Sequence, residues 1–295
     1  MRIDGVFSGG GIKGFALIGA YQAIEQRGYE FERLAGTSAG SILSAFIAAG
    51  YTSAEILKMM EDVNLKRLLD ERPSFLPFKF MKWIAIYWRL GLYKGANLEL
   101  WLEKKLSAKG VTTFGDLKKG ALRVIASDLT NGRMIVIPDD LPKYGLNPEG
   151  FSVARAVRMS CSLPYFFEPV KLTSSTGVSV VVDGGVLSNF PIWLFQQKDP
   201  NQNKRPVLGV KLSPKDEERP KNRIGNAFEM YEALFETMKD AHDARHISSR
   251  HEKSIIFIPV ENIITTEFKL TEQKKLALIE LGRERADSFL KNWPH

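Results

Sequence analysis

Residues 3–50, IDGVFSGGGIKGFALIGAYQAIEQRGYEFERLAGTSAGSILSAFIAAG, alternate between short apolar runs and helical patterns. Ile3–Phe7 and Phe31–Ala35 are short apolar runs typical of buried strands, and a glycine-rich turn follows each of them. Phe15–Arg27 and Ser41–Ala49 then carry apolar residues at helical spacing, and each helix ends at a glycine. This order predicts an α/β fold, a three-layer α/β/α sandwich with a central, mostly parallel sheet.

Later segments add strands and helices to this opening. Leu122–Thr130 and Arg133–Ile137 flank Asn131-Gly132, the strongest short-range hairpin signal. Val170–Thr173 and Val178–Val182 predict a second hairpin around another glycine turn. Two further strands and two further helices are expected at Pro206–Leu212, Ile255–Val260, 225–249 and 271–291.

The composition is that of an ordinary globular protein. Of the 295 residues, 44% are hydrophobic and 25% are charged, which is enough to build a full core and excludes disordered, collagen-like and coiled-coil chains. Glycine and proline are dispersed and no linker interrupts the chain, so we expect one domain over residues 1–295. Cys161 is the single cysteine, and therefore no disulfide can form within the chain.

The charge balance indicates an anionic partner. There are 41 Lys and Arg residues against 34 Asp and Glu residues, a formal net charge of +7. Nucleic acid, a phospholipid surface and an acidic metabolite would each suit this charge. No nucleic-acid recognition module is visible in the sequence, which disfavours the first of these partners.

The sequence contains no clear targeting or membrane-spanning segment. The first five residues include an acid and lead into no signal-peptide pattern. The longest uncharged stretch, Leu34–Ala54, holds three glycines and several hydroxyl residues, so it would insert poorly into a bilayer. We therefore expect a cytoplasmic protein that touches the inner face of the membrane peripherally.

Ser8–Gly14 forms a glycine-rich loop between the first strand and the first helix, where backbone amides and a helix N-terminus favour an anion. Its G-x-G-x-x-G spacing matches the dinucleotide fingerprint, with Glu32 where a ribose-binding acid would lie. A triphosphate-binding loop is disfavoured because its lysine is not followed by Ser or Thr. The loop is otherwise a plain tight turn, or an oxyanion hole whose backbone amides face an acyl oxygen that gains charge.

A second motif, Gly36–Gly40, reads G-T-S-A-G and lies between an apolar strand and a helix. That position is the context required for a nucleophile elbow, in which Ser38 is exposed at a helix N-terminus. The order of Ser38, Asp183 and a later histidine would suit an α/β-hydrolase triad, but too few residues precede the serine for that fold. The candidate histidines also lie in a strongly polar run typical of a solvated helix: His242, His246 and His251.

Asp183 follows a buried apolar strand and precedes two glycines. The glycines remove side-chain bulk beside the carboxylate, so a base could meet a nucleophile there. An aspartate that caps a turn is the competing interpretation.

Together the three motifs resemble the patatin-like phospholipase family, which has a glycine-rich loop near its N-terminus, then G-x-S-x-G, and D-G-G far downstream. The resemblance extends to Gly91–Gly95 and to Arg158–Pro169, so it covers most of the chain. It implies a catalytic dyad of Ser38 and Asp183 without histidine. It also implies that the amides of the glycine loop, Gly9, Gly10 and Gly11, stabilise the oxyanion.

Two positions depart from the family pattern. Many members have Asp where this chain has Ser8, and Arg where it has Lys13. Both changes leave the backbone geometry of the loop plausible, so they concern the detail of the oxyanion hole rather than the assignment.

The stretch 75–94 is both aromatic and cationic, with seven aromatic residues, four cations and no acid. This composition is typical of an interfacial helix or lid that lies among lipid headgroups. An amphipathic helix packed on the sheet is the alternative interpretation. The candidate membrane-contact residues are Lys79, Lys82, Trp83, Trp88 and Arg89.

The sequence thus predicts a serine lipid acyl hydrolase that acts on a phospholipid or lysophospholipid and needs neither a cofactor nor a metal. Two alternatives remain open. The glycine loop would serve an NAD-binding oxidoreductase, and the cationic aromatic stretch would serve a non-catalytic protein that binds membrane surfaces.

Overall fold

A computed structural model describes most of the chain. The described residues are 1–63, 65–70, 86–174, 177–195, 205–213, 224–225, 227–244, 247, 252–260 and 270–295. Three of the predicted membrane-contact residues, Lys79, Lys82 and Trp83, lie outside these ranges, as do His246 and His251.

Strands and helices alternate through the first half of the chain. The strands are β1 (Arg2–Phe7), β2 (Glu30–Thr37), β3 (Gly91–Tyr93), β4 (Leu122–Asp128), β5 (Arg133–Ile137), β6 (Tyr165–Phe167), β7 (Val170–Ser174), β8 (Gly177–Asp183), β9 (Val207–Lys211) and β10 (Ile255–Phe257). The helices are α1 (Phe15–Gln26), α2 (Ala39–Ala48), α3 (Ser53–Asp62), α4 (Leu65–Leu69), α5 (Ala96–Ser107), α6 (Val153–Ser160), α7 (Ala227–Ala244) and α8 (Glu272–Leu290).

A mixed sheet forms the centre of the protein. Within the described residues it has the strand order β10-β9-β1-β2-β4-β8-β7, and β5 pairs with β4. The strands from β10 to β4 are parallel, whereas β8 runs antiparallel to both β4 and β7. Both predicted hairpins are present, β4–β5 and β7–β8. The predicted class is confirmed: a mostly parallel sheet flanked by helices.

Both faces of the parallel strands are buried. In β1 the side chains of Ile3 and Phe7 join the larger core with α1 and α2, and Val6 points into a smaller core on the other face. Phe190 and Phe195 fill that smaller core. Burial on both faces explains why these strands read as continuous apolar runs in the sequence.

The helices α1 and α8 cross at a pair of glycines. A Cβ atom added to Gly19 would lie 1.8 Å from the carbonyl oxygen of Ile279, and one added to Gly282 would lie 1.8 Å from that of Ala16. The two backbones are therefore in direct contact at both positions. This crossing fixes α1, whose N-terminal end follows the glycine loop.

Replacing Gly282 with alanine should destabilise the fold by about 2 kcal/mol or more, because the added methyl group would force the two helices apart. In an ordinary exposed helix the same change would stabilise by roughly 1 kcal/mol, so the sign of the effect is diagnostic. Urea denaturation measures it. Leu276→Ala on the same helix is the control, because that side chain is 60% exposed. A Gly282→Ala protein as stable as the parent would contradict the close crossing.

Candidate active site

Ser38 lies on a sharp turn between β2 and α2. Its backbone has φ 51° and ψ −123°, a conformation that residues with a side chain rarely adopt. A Cβ atom on Gly36 would lie 2.4 Å from the Gly40 carbonyl oxygen, and one on Gly40 would lie 2.2 Å from that of Phe7. The two glycines of G-x-S-x-G are thus required by close backbone contacts, and the turn has the form of a nucleophile elbow.

Asp183 is brought to Ser38 by the register of the sheet. Thr37 pairs with Ile125 across β2 and β4, and Asp183 pairs with Ala126, the next residue of β4. The two candidate residues therefore lie at the same level of the sheet. Ser38 and Asp183 line the same cavity, and Ser38 lies close enough to the Asp183 carboxylate to lower its pKa.

The Asp183 carboxylate also receives a backbone hydrogen bond, because the Gly185 amide donates to its Oδ1 atom at 2.7 Å. Asp183 therefore caps the turn that follows β8 as well as contacting Ser38. The Asp183 side chain can therefore cap the turn and also serve as a base beside Ser38, so the two interpretations made from the sequence do not exclude each other.

Burial changes the acidity of Asp183. Removal from water raises its pKa to about 6, although the hydrogen bonds from Ser38 and Gly185 act in the opposite direction. The group is thus a stronger base than an exposed aspartate and is still ionised at neutral pH.

Two of the three glycines predicted to form an oxyanion hole lie at the site. Gly10 and Gly11 line the same cavity as Ser38 and Asp183. The Gly9 amide instead donates to the Asn189 carbonyl oxygen at 3.1 Å. Of the three predicted glycines, Gly10 and Gly11 therefore remain the candidates for contact with an oxyanion.

Ser8, where many family members have Asp, ties the glycine loop to the next strand. Its hydroxyl oxygen accepts a hydrogen bond from the Leu212 amide at 2.9 Å. A Cβ atom on Gly10 would lie 2.4 Å from the Leu212 side chain. Ser8 and Gly10 therefore fit the loop closely against the end of β9.

The C-terminal end of α6 and the residues that follow it support both candidate catalytic residues. Ser160 Oγ accepts a hydrogen bond from the Ser38 amide at 2.8 Å, and the Ser162 carbonyl oxygen accepts one from the Asp183 amide at 2.9 Å. The buried Arg158 guanidinium donates to Ser162 Oγ and to the Gly95 carbonyl oxygen at 2.9 Å. The contacts of Ser160 with Ser38 and of Arg158 with Gly95 have no local signal in the sequence, because they join residues 122 and 63 positions apart.

Cys161 lies in the wall of the site between these two serines. Its thiol is 4.0 Å from the hydroxyl oxygen of Ser41 and contacts Ser38. Burial raises the pKa of the thiol to about 12, so the group is neutral and unreactive at ordinary pH.

The cavity that contains Ser38 and Asp183 is mostly apolar. Helices α1 to α5 and the β6 region all contribute to its wall. Its aliphatic and aromatic lining includes Ile18, Ile42, Leu43, Phe46, Met60, Leu98, Trp101, Leu163, Phe166 and Phe167. Such a lining suits a hydrocarbon chain attached to a group held at Ser38.

Other candidate residues do not meet at this cavity. Among the described residues that line it there is no histidine. Glu32, the candidate ribose-binding acid, lies near the start of β2, whereas the glycine loop follows the opposite end of the neighbouring β1. Glu32 forms ion pairs with Lys118 and Arg2 instead. Glu32 could therefore not contact the ribose of a dinucleotide bound in the glycine loop.

The described part of the 75–94 stretch is exposed. Tyr87 and Trp88 are 75% and 77% exposed, and Arg89 is also exposed.

Within the described ranges, no helix is long and apolar enough to cross a membrane. No group of three His, Cys, Asp or Glu side chains there could hold a metal ion.

The chain is similar in sequence to known bacterial proteins. The chain is 64% identical, over its full 295 residues, to the uncharacterized protein YqhO of Bacillus subtilis, which it also covers completely. It is 28% identical over 194 residues to the cUMP-AMP-activated phospholipase of Escherichia coli, covering 62% of this chain and 54% of that protein.

Among solved structures, VipD from Legionella pneumophila has a similar fold. The TM-score is 0.58 at 17% sequence identity, over 99% of this chain and 67% of that one. The family model described as patatin-like phospholipase matches residues 5–195, which include the glycine loop, Ser38 and Asp183. The chain belongs to the patatin-like phospholipase family.

Proposed function

We propose that this protein is a serine lipid acyl hydrolase in which Ser38 is the nucleophile and Asp183 the general base. Family membership supports lipid hydrolase activity in general. The observation that supports the specific assignment is that the strained turn at Ser38 and the sheet register bring Ser38 and the buried Asp183 carboxylate to one apolar cavity.

The first half of the reaction forms an acyl-enzyme. Ser38 Oγ attacks the ester carbonyl carbon as its proton passes to the Asp183 carboxylate. The Gly10 and Gly11 amides stabilise the negative charge that develops on the carbonyl oxygen. When the tetrahedral intermediate collapses, the C–O bond of the ester breaks and the leaving alcohol takes the proton from Asp183.

The second half regenerates the enzyme. Asp183 accepts a proton from a water molecule as the oxygen of that water attacks the acyl carbon. The bond between the acyl carbon and Ser38 Oγ then breaks, and the proton passes from Asp183 to Ser38 Oγ. The fatty acid leaves and both side chains return to their starting states. Every step uses only side chains, backbone amides and water, so the reaction needs no cofactor.

The pKa of Asp183 suits this role. A free aspartate is a weak base for an alcohol, and burial raises the pKa of this one to about 6. The carboxylate gains basicity and remains ionised at the pH of the cytoplasm. Preorganised amides supply the other large contribution, since loss of one such donor typically costs about 3 to 4 kcal/mol.

The apolar cavity supports a lipid substrate, a phospholipid or lysophospholipid, which is met at a membrane surface. The exposed Trp88 and Arg89 combine an aromatic ring with a cation, a pair that suits anionic headgroups. On α7, Leu234 and Met238 are 57% and 48% exposed, and the residues that follow them line the cavity. We infer peripheral contact with an anionic membrane, on the cytoplasmic face.

Ser38→Ala and Asp183→Asn should each lower kcat/KM for phospholipids and short p-nitrophenyl esters by at least about 1,000-fold. Circular dichroism should show an intact fold in both variants. As a control, the triple change His242→Gln, His246→Gln and His251→Gln should keep most of the activity. Near-normal turnover by either single variant would eliminate the proposed dyad.

The pH dependence of kcat/KM should show an acid limb near the Asp183 pKa of about 6, because the base must be ionised. Stability gives an independent measurement. The native pKa of Asp183 is above its unfolded value, so this carboxyl group binds a proton more tightly in the folded state than in the unfolded state. The stability that this proton binding contributes to the fold is lost as the pH rises through about 6.

The free energy of unfolding of Asp183→Asn, measured relative to that of the parent, should therefore increase by up to about 3 kcal/mol from about pH 4 to about pH 8. Urea denaturation at both pH values measures the change. A stability difference between the two proteins that does not vary with pH would contradict the raised pKa.

The double variant Trp88→Ala, Arg89→Gln should cosediment several-fold less with phosphatidylglycerol vesicles than the parent, and binding to phosphatidylcholine vesicles should be weak for both. The matched control is Leu276→Ala, Arg285→Gln, which removes one exposed apolar side chain and one exposed cation from α8. Unchanged binding by the Trp88 and Arg89 variant would remove this segment from the membrane contact.

A further inference from the structure

Asn189 has a buried amide side chain at the cavity that holds Ser38 and Asp183. It lies beyond the turn that follows β8, is 5% exposed, and contributes to the lining of the cavity. Within the part of the chain that the structure describes, its carboxamide group has no hydrogen-bond partner. The proposed reaction assigns no task to this side chain.

Two glycines make room for the carboxamide of Asn189. A Cβ atom on Gly9 would lie 2.4 Å from Asn189 Oδ1 and 3.2 Å from Ser38 Cβ. A Cβ atom on Gly185 would lie 3.4 Å from Asn189 Oδ1 and 3.0 Å from Asp183 Oδ1. The carboxamide therefore packs on two glycines, and each of them also borders one of the two candidate catalytic side chains.

The backbone around Asn189 is held in place by hydrogen bonds. The Ser188 carbonyl oxygen accepts one from the Thr37 hydroxyl at 2.9 Å, and the Asn189 carbonyl oxygen accepts one from the Gly9 amide at 3.1 Å. The Phe190 amide donates to a buried carboxylate on α7 at 3.0 Å. A donor that stabilises charge in a transition state has to be preorganised in this way.

Asn189 also changes the set of donors around the glycine loop. Its carbonyl oxygen occupies the Gly9 amide, which leaves Gly10 and Gly11 as the candidates among the three predicted glycines. Its side chain carries two N–H donors beside the same loop. Side-chain amides act as oxyanion donors in hydrolases, alone or together with backbone amides.

An unbonded amide in a buried position costs free energy. An apolar side chain at position 189 would extend the hydrocarbon-binding wall without that cost. A negative charge that forms in the cavity only during the reaction would give the Asn189 amide its partner.

We propose that the side-chain amide of Asn189 is a third oxyanion donor and hence a further catalytic residue. The inference rests on the proposed function. As Ser38 Oγ bonds to the ester carbonyl carbon, the π electrons of the C=O bond move onto the carbonyl oxygen, and the Asn189 amide donates a hydrogen bond to it beside Gly10 and Gly11. The same oxyanion forms when water attacks the acyl-enzyme, so both halves of the reaction depend on Asn189.

The first test replaces the amide with an apolar side chain of similar size. Asn189→Leu should lower kcat/KM by about 100-fold or more for p-nitrophenyl butyrate and for dioctanoyl phosphatidylglycerol used as a monomer. Both substrates should be affected alike, because they share the carbonyl oxygen but not the headgroup. The burst of p-nitrophenol should slow together with the steady state, because acylation and deacylation both lose the donor.

The pH profile separates an oxyanion donor from a residue that acts through the base. Leucine keeps the site buried and adds no charge, so the acid limb of kcat/KM should stay near the Asp183 pKa of about 6 in Asn189→Leu. A displaced limb would make Asn189 a positioning residue for Asp183 and would overturn its assignment as an oxyanion donor.

Ser188→Ala is a matched control from the same turn. Ser188 is 1% exposed, and its hydroxyl accepts a hydrogen bond from Trp193 Nε1 at 3.1 Å. It is not among the described residues that line the cavity. Its replacement should destabilise the fold and leave kcat/KM unchanged. A loss of activity as large as that of Asn189→Leu would show that any disturbance of this turn disables the site.

A second measurement uses the unmodified protein, so it decides the question even where a variant does not fold. An alkyl trifluoromethyl ketone adds Ser38 Oγ to its carbonyl carbon, and the oxygen of the resulting hemiketal stands in for the oxyanion. A crystal structure of this adduct should place Asn189 Nδ2 about 2.7 to 3.1 Å from that oxygen.

The outcomes distinguish the assignment of Asn189 from the proposed function. If the parent protein hydrolyses neither ester and forms no adduct on Ser38, the proposed function fails. If the adduct forms but its oxygen lies beyond hydrogen-bond distance of Asn189, or if Asn189→Leu keeps the parent kcat/KM, only the assignment of Asn189 is overturned. A loss confined to the phospholipid, or to deacylation, would overturn it as well, because the amide would then contact the headgroup or the attacking water.

Discussion

The turn at Ser38 is the constraint on which the rest of the site depends. A positive φ at a residue with a side chain costs on the order of 1 to 3 kcal/mol, and it persists only where the surrounding structure holds it. Here Gly40 lies against the Phe7 carbonyl and the Ser160 hydroxyl accepts a hydrogen bond from the Ser38 amide. The strained turn places Ser38 in the wall of the cavity that Asp183 also lines.

A second constraint keeps Asp183 both buried and basic. The sheet register sets its position beside Ser38, and the backbone of Ser162 holds its amide. Burial raises the pKa of the carboxylate to about 6, so charging it costs folding free energy near neutral pH. Strain at Ser38 and desolvation at Asp183 thus oppose stability at two adjacent residues, which is typical of an active site. The extensive core and the close α1–α8 crossing at Gly282 supply the opposing stabilisation.

Local patterns in the sequence predicted the elements well but not their supports. The opening strand–helix repeat, the Asn131-Gly132 hairpin and the elbow at Ser38 all depend on residues close together in the chain, so each leaves a readable signal. The contact of Ser160 with Ser38 joins residues 122 positions apart, and Lys239 reaches the cavity from a helix near the C-terminus. Neither has a local signature, because tertiary packing alone brings these groups together.

We propose that Ser38 carries the acyl group during turnover, and mass spectrometry of the trapped enzyme can detect that adduct. The protein is treated with a fluorophosphonate that carries an alkyl chain, or quenched in acid during hydrolysis of a p-nitrophenyl ester, and then digested and sequenced by fragmentation. We expect one adduct, on Ser38, formed much more slowly in Asp183→Asn. An adduct on another residue, or continued turnover after Ser38 is fully modified, would contradict it.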